Sequence, residues 1–217
     1  MDLRDHHSLT PLHLSASRCC IKILSMMTLF LHRGRAELVG ILLAGGANPN
    51  MRTGPPQKTP LQLAAAGGHV KVMEMLVKHG ANWKDKDDWG WTVLHETAAT
   101  GQLEGIHWVL KESKGLVNVE DKLGRGPLLV GLMAGAGVEV VKELLSQGED
   151  PGQEDEVGRG CPEAAVLYCG PDVIRYILEF CINSDPKPEV NRELLLEIAE
   201  DHSQCEQVKD IIMELTK

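Results

Sequence analysis

From Val70 to Asn82 the chain reads VKVMEMLVKHGAN, with apolar residues at Val70, Val72, Met73, Met75, Leu76 and Val77. That spacing marks one face of an α-helix. Gly80 lies just past it, where a left-handed backbone position ends a helix well. LEGIHWVLKES at 103–113 and VEVVKELLSQG at 138–148 carry the same pattern. Shorter apolar segments precede them: TPLQL at 59–63, TVLHE at 92–96 and GPLLV at 126–130. Small-residue runs with glycine join short to long, AAAGGH at 64–69 and AATGQ at 98–102. Thr59 and Thr92 are placed to cap the short segments as helices, and Pro60 suits a first helical position. The pattern predicts helical hairpins that turn at Gly68 and Gly101, with the alanines allowing close approach. One such hairpin cannot cover its own apolar face, so neighbours must stack.

The hairpins recur with a period. The starts at Thr59, Thr92 and Gly126 are separated by 33 and 34 residues. TPLHL at 10–14 is a further copy, and CPEAA at 161–165 a weak one. A unit of about 33 residues with a T-P-L-H-type start resembles the ankyrin repeat, most specifically over residues 10–152. The resemblance implies an all-α solenoid of helix-turn-helix units with projecting β-turn fingers, about five repeats plus a C-terminal helical cap. Mapped onto the chain, residues 1–217 form one array. Repeat 1 covers 2–50, repeat 2 covers 51–84, repeat 3 covers 85–118, repeat 4 covers 119–152 and a degenerate repeat 5 covers 153–184. Capping helices occupy 185–217. There, Leu194, Leu195, Ile198 and Ala199 make one apolar stripe, and Val208, Ile211, Ile212 and Leu215 another.

One stretch breaks the rhythm. Residues 18–32, RCCIKILSMMTLFLH, are almost wholly apolar at their centre. Without them, TPLHLSAS joins RGRAELVGILLAGGANPN to give 26 residues that match Thr59–Lys84 position by position. The segment therefore reads as a fifteen-residue insertion at the hairpin turn of repeat 1. Three readings stay open from sequence: a tolerated, splice-derived insertion, a helix covering the end of the array, and a partner site. It is shorter than the ~20 residues a membrane helix needs. No cleavage site of the secretory kind follows it. The chain's start partway through a unit leaves two further readings, a longer array cut short and an end covered by the insertion.

Charge narrows the classes of partner. Residues 1–110 carry 11 Lys+Arg against 9 Asp+Glu, and residues 111–217 carry 11 against 22. The acidic second half opposes non-specific nucleic-acid binding, which rests on phosphate neutralisation. It leaves room for a basic partner. The six cysteines include no CxxC pair, so a zinc or thioredoxin-like site lacks its spacing signal, and a long chain read as having no secretory leader is not expected to rest on a disulfide framework. Reduced, mostly buried thiols in a cytoplasmic or nuclear protein fit better.

Catalytic signals are weak, and no catalytic, cofactor or metal residue is assigned. His13 and His95 occupy the fourth residue of the repeat start, where the family resemblance implies a histidine bonding neighbouring repeats. His6 and His7 lack ligand partners at metal spacing. GRGPLLVG at 124–131 lacks the Lys-Ser/Thr of a phosphate loop. The sharper feature is WKDKDDWGW at 83–91, since clustered tryptophan beside charge marks interface anchors. Trp83 and Trp108 suit the core, Trp91 suits the neighbouring finger and Trp89 suits a partner. The resemblance implies recognition of a protein through the concave face and finger tips. On this chain those positions are Arg52 and Gln57 on one finger, Asp87, Asp88, Trp89 and Trp91 on the next, and Lys122 and Arg125 on the third. Leu63, Glu96 and Thr100 come from first helices. The acidic stretch at 148–156 is expected on a fourth finger, as a solvated turn or a surface for a basic segment. The expected protein is a monomeric, non-enzymatic interaction module. The alternative is a truncated or alternatively spliced regulatory fragment of a larger signalling protein.

Overall fold

The computed structural model describes residues 34–53, 55–184, 190–202 and 204–216. The expectations placed on Thr10, His13, His6–His7 and the segment 18–32 lie outside the described residues. Among the described residues, eleven α-helices run in chain order and no strand occurs. They are α1 (Ala36–Ala44), α2 (Pro60–Ala66), α3 (Val70–Lys78), α4 (Val93–Ala99), α5 (Leu103–Glu112) and α6 (Pro127–Met133). Then come α7 (Val138–Ser146), α8 (Cys161–Tyr168), α9 (Pro171–Asn183), α10 (Arg192–Ile198) and α11 (Cys205–Leu215).

The helices form two layers. Short helices α2, α4, α6, α8 and α10 pack in sequence as one row, and α1, α3, α5, α7, α9 and α11 pack behind them as another. The short row is tight because its contact positions are small: a Cβ on Gly131 would lie 3.5 Å from the Ala98 Cβ. Leu61, Ala64, Leu94, Ala98, Leu128, Leu132, Ala164 and Ala165 are buried there. The back row contributes Val72, Met73, Leu76, Ile106, Val109, Val141, Leu144, Ile174 and Ile177 to the same continuous core. This is the all-α solenoid expected from the period.

Local chemistry explains each hairpin. Thr59 Oγ1 accepts from the Gln62 amide at 3.2 Å, and the Thr59 amide donates to Gln62 Oε1 at 2.8 Å. This closes a reciprocal cap on α2. The turns between paired helices repeat one geometry, with Gly68 and Gly101 at φ +69° and +68°. Behind them the His69 and Gln102 amides each donate 2.9 Å back to the carbonyls of Ala64 and Thr97. Gly80 lies at φ +91°, as its place after α3 predicts. Repeat 3 departs from the pattern. A 3-10 turn at Lys114–Leu116 replaces the glycine exit, and Leu116 is buried in the core.

The C-terminal cap continues the stacking. α10 packs on α8 and α11 on α9, as earlier pairs do. Leu195, Ala199, Val208, Ile211 and Ile212 are buried, whereas Leu194 is exposed. Sequence periodicity placed Leu194 on the stripe. The buried face of this short helix is instead centred on Leu195 and Ala199.

Candidate protein-interaction surface

Four connections between repeats project as fingers, and three share one turn. In finger 2, Asp87 Oδ1 accepts from the amides of Trp89 and Trp91, both at 2.9 Å. In finger 3, Asp121 Oδ1 accepts from Leu123 and Arg125 at 2.8 and 3.0 Å. In finger 4, Asp155 Oδ1 accepts from Val157 and Arg159 at 3.0 and 2.9 Å. Each turn contains a glycine, at 90, 124 and 158, with φ of +86°, +76° and +76°. An aspartate that bonds its own backbone, followed by a glycine free to take positive φ, fixes the finger without help from a partner. Finger 1 has Thr53 in place of aspartate and turns through Gln57 at φ +60°.

Neighbouring fingers are joined by one backbone bond each. The Asp88 amide donates to the Pro56 carbonyl at 2.8 Å, Lys122 to Trp89 at 3.0 Å and Glu156 to Leu123 at 3.0 Å. The result is a pre-ordered row. At the same step of fingers 2, 3 and 4 an apolar side chain faces solvent: Trp89 at 51 % exposure, Leu123 at 46 % and Val157 at 79 %. Leu123 and Val157 were not singled out from the sequence. The repeated pattern Asp-x-apolar-Gly at 87–90, 121–124 and 155–158 carries the signal.

Around finger 2 the charges are unusual. Glu96 on α4 is buried, and the Lys58 ammonium lies 2.6 Å from its Oε1. That ammonium also stands 5.4 and 5.7 Å from the ring centres of Trp89 and Trp91. The two rings meet edge to face at 5.5 Å. Burial pushes the Glu96 carboxyl above its ordinary range, Lys58 pulls it down, and the Asp87 carboxylate nearby adds to the rise. Lys58 was missed in the sequence because its partners lie 31 to 38 residues away.

The residues expected to meet a partner divide into two sets. Asp88, Trp89, Lys122, Thr100 and Arg52 are exposed, and Trp91, Arg125 and Gln57 are half-buried. Arg52 donates to the carbonyls of Lys86 and Gln57 at 2.6 and 3.2 Å, bracing finger 1 against finger 2. Trp91 donates its indole N–H to Asp121 Oδ2 at 3.1 Å, lying along the next finger as expected. Leu63, Asp87 and Glu96, expected among the contact residues, are buried in the free chain, being only 6 %, 5 % and 2 % exposed. Leu63 packs in the core of the short-helix row, Asp87 commits its Oδ1 to its own turn, and Glu96 is paired with Lys58. They shape the surface without forming much of it.

The acidic fourth finger also differs from a fully solvated turn. Asp155 is buried in its turn, and Glu149 is 3 % exposed with neither carboxylate oxygen in a well-formed hydrogen bond among the described residues. QGEDPG at 147–152 aligns with GGANPN at 45–50 and HGANWK at 79–84, so Glu149 occupies the place of Ala47 and Ala81. Burial pushes its carboxyl up to about 7, the Leu128 and Asn118 backbone amides oppose this, and Asp150 adds to it.

His95 is structural in geometry. Its Nδ1 lies 3.1 Å from the Thr92 amide and its Nε2 lies 3.1 Å from the Arg125 carbonyl, so the neutral ring bridges two repeats. Burial lowers its pKa to about 4, with the Arg125 carbonyl pulling the other way. Gln62 does the same work one unit earlier, donating to the Trp91 carbonyl at 2.6 Å. Trp83 and Trp108 pair at 4.8 Å against the core. Cys161, Cys169 and Cys181 are buried free thiols whose pKa values burial raises, to about 12 for Cys169 and Cys181.

Comparison with known proteins agrees with the repeat geometry. A family model described as ankyrin repeats, in three copies, matches residues 26–121. The chain is 31 % identical over 151 residues to human neurogenic locus notch homolog protein 4, covering 69 % of this chain and 7 % of that protein. It is 30 % identical over 94 residues to the Caenorhabditis elegans transient receptor potential cation channel subfamily A member 1 homolog, covering 43 % of this chain and 8 % of that protein. It is 40 % identical over 57 residues to mouse ankyrin repeat domain-containing protein 13B, covering 26 % of this chain and 9 % of that protein. The chain thus spans less than a tenth of the length of these relatives.

Proposed function

Because this chain is an ankyrin-repeat protein, we propose that it is a non-enzymatic module that binds a partner protein along its finger row and concave face. The observation that carries this reading is the line of exposed apolar side chains Trp89, Leu123 and Val157 at one repeated step. Exposed apolar groups in register on a rigid row mark an interaction site more strongly than scattered ones. The aspartate turns hold that row before binding, so little ordering entropy is lost on association. No helix among the described residues is long and apolar enough to cross a membrane.

The test is affinity capture from cell extract with the wild type and a Trp89→Ala, Leu123→Ser double variant. Both side chains project to solvent, so helical content and melting temperature should hold while capture falls at least about tenfold, the equivalent of about 1.4 kcal/mol. Unaltered capture by the folded variant would show that the row is not the site. Trp91→Ala is a poorer probe because Trp91 also bonds Asp121. The alternative, a regulatory fragment of a larger protein, is favoured by the far greater length of the matched relatives. In-frame coding sequence upstream of Met1 in the transcript would support it, and an in-frame stop there would argue against it.

A further inference from the structure

The turn aspartates differ in what meets their second oxygen. Asp121 Oδ2 accepts from Arg125 Nε and Nη2 at 2.9 and 2.7 Å and from Trp91 Nε1 at 3.1 Å. Asp155 Oδ2 lies 3.4 Å from Arg159 Nε. In both fingers the arginine comes from four residues further along the chain. In finger 2 that position is Trp91, and Asp87 Oδ2 is buried without a hydrogen-bond partner among the described residues. A buried carboxylate oxygen left unpaired is costly.

The surroundings of that oxygen suit a cation. Trp89 and Trp91 offer two aromatic rings, and Asp87 and Glu96 are two buried carboxylates, Asp87 standing close enough to disfavour charge on Glu96. One internal cation is already there. The Lys58 ammonium stands by both rings and reaches Glu96. Two carboxylates thus share one point charge, and the charge reaches only one of them. A guanidinium would serve better: it is planar, stacks on indole faces and presents five N–H donors in a fork.

We infer that finger 2 receives an arginine side chain of the bound partner, seated beside the Trp89 and Trp91 rings where the Lys58 ammonium now stands and bonded to Asp87 and Glu96. The partner supplies in trans the cation that Arg125 and Arg159 supply in cis on the next two fingers. Lys58 holds the place in the free chain and swings out to solvent when the arginine arrives. This rests on the reading that the finger row binds protein, and it specifies the chemistry of one anchor.

The experiment is selection of a random linear peptide library on the immobilised chain, followed by affinity measurement of the recovered peptides. Arginine should be enriched at one position. Replacing it by citrulline or lysine should weaken binding at least about tenfold, the effect of losing a charge-assisted fork. Asp87→Asn keeps the turn-forming Oδ1 and exchanges only the second oxygen for an amide. It should cost a similar factor at an unchanged melting temperature. Trp91→Arg places the cation in cis, as in fingers 3 and 4, and should abolish the arginine preference. Lys58→Ala should tighten arginine peptides, since the internal competitor is gone. Binders that tolerate citrulline equally, or that ignore Asp87→Asn, would overturn the arginine site and leave the finger row as the interface. Failure to recover any binder would overturn both.

Discussion

Fingers 2 and 3 fold through the same aspartate turn and glycine, yet finger 3 neutralises itself and finger 2 does not. Asp121 sits under Arg125 and the Trp91 indole. Burial alone would raise its pKa, but the Arg125 guanidinium and the amides of Arg125 and Leu123 hold it below the usual carboxylate range. In finger 2 the arginine position is tryptophan, and the cation that stands by the rings and Glu96, Lys58, comes from another repeat. A single exchange at one step of the repeat therefore converts a self-satisfied brace into a surface with unspent acceptor capacity. Backbone geometry is set by the aspartate and glycine, and binding chemistry by the residue that follows.

Three perturbations bear on this contrast, from the largest expected effect to the smallest. Gly90 and Gly124 occupy equivalent left-handed positions, but a Cβ on Gly90 would lie 2.8 Å from the Lys122 amide nitrogen, whereas on Gly124 its nearest neighbour would be 3.5 Å away. Gly124→Ala should cost about 1–2 kcal/mol from backbone strain alone. Gly90→Ala should cost about 3–4 kcal/mol because the next finger must also move. Equal losses by chemical denaturation would mean that the fingers are not joined as described.

Arg125→Ala should cost about 2 kcal/mol, since the buried Asp121 keeps only the Trp91 indole opposite its second oxygen. A carboxyl with a depressed folded pKa contributes stability above its unfolded pKa and loses it as pH falls through the folded value. The gap between wild type and variant should therefore close below about pH 4. A gap independent of pH would assign the loss to packing.

Glu149 extends the contrast to a carboxylate with no ion pair among the described residues. Its folded pKa of about 7 lies above the unfolded 4.5, so the native state holds the proton more tightly. Stability falls as pH rises from about 4.5 to about 7 and stays reduced above, by at most about 3 kcal/mol. Glu149→Ala restores the residue found at Ala47 and Ala81. It should raise the melting temperature by several degrees at pH 8, at about 2–4 °C per kcal/mol. Near pH 4.5 it should change little. A variant that melts lower than wild type at pH 8 would show that the carboxylate is better solvated than its burial indicates.

The hairpins were legible because their signals are local: capping threonines, glycines at turns, and apolar spacing within nine or ten residues. The surface was legible only in part. Trp89 was found as an aromatic beside charge, but Leu123 and Val157 look ordinary until the fingers are laid in register. Lys58 could not be placed, because its role depends on side chains from the next repeat converging on it. Leu63 and Glu96 were expected on the open face, and packing of the short row turns both inward. Glu149 was hidden inside an acidic stretch in which Asp150, Glu154 and Glu156 do face water. Charge density along the chain says nothing about which member of a run points into the core.

The stacking of each hairpin only on its neighbours, with one backbone bond per pair of fingers, has a mechanical consequence. Bending is shared among several similar junctions, so the array yields as a shallow spring and not at one hinge. Pulled from its two ends, it would come apart as successive links of a chain, each let go by its neighbour, and not as a single shell that cracks.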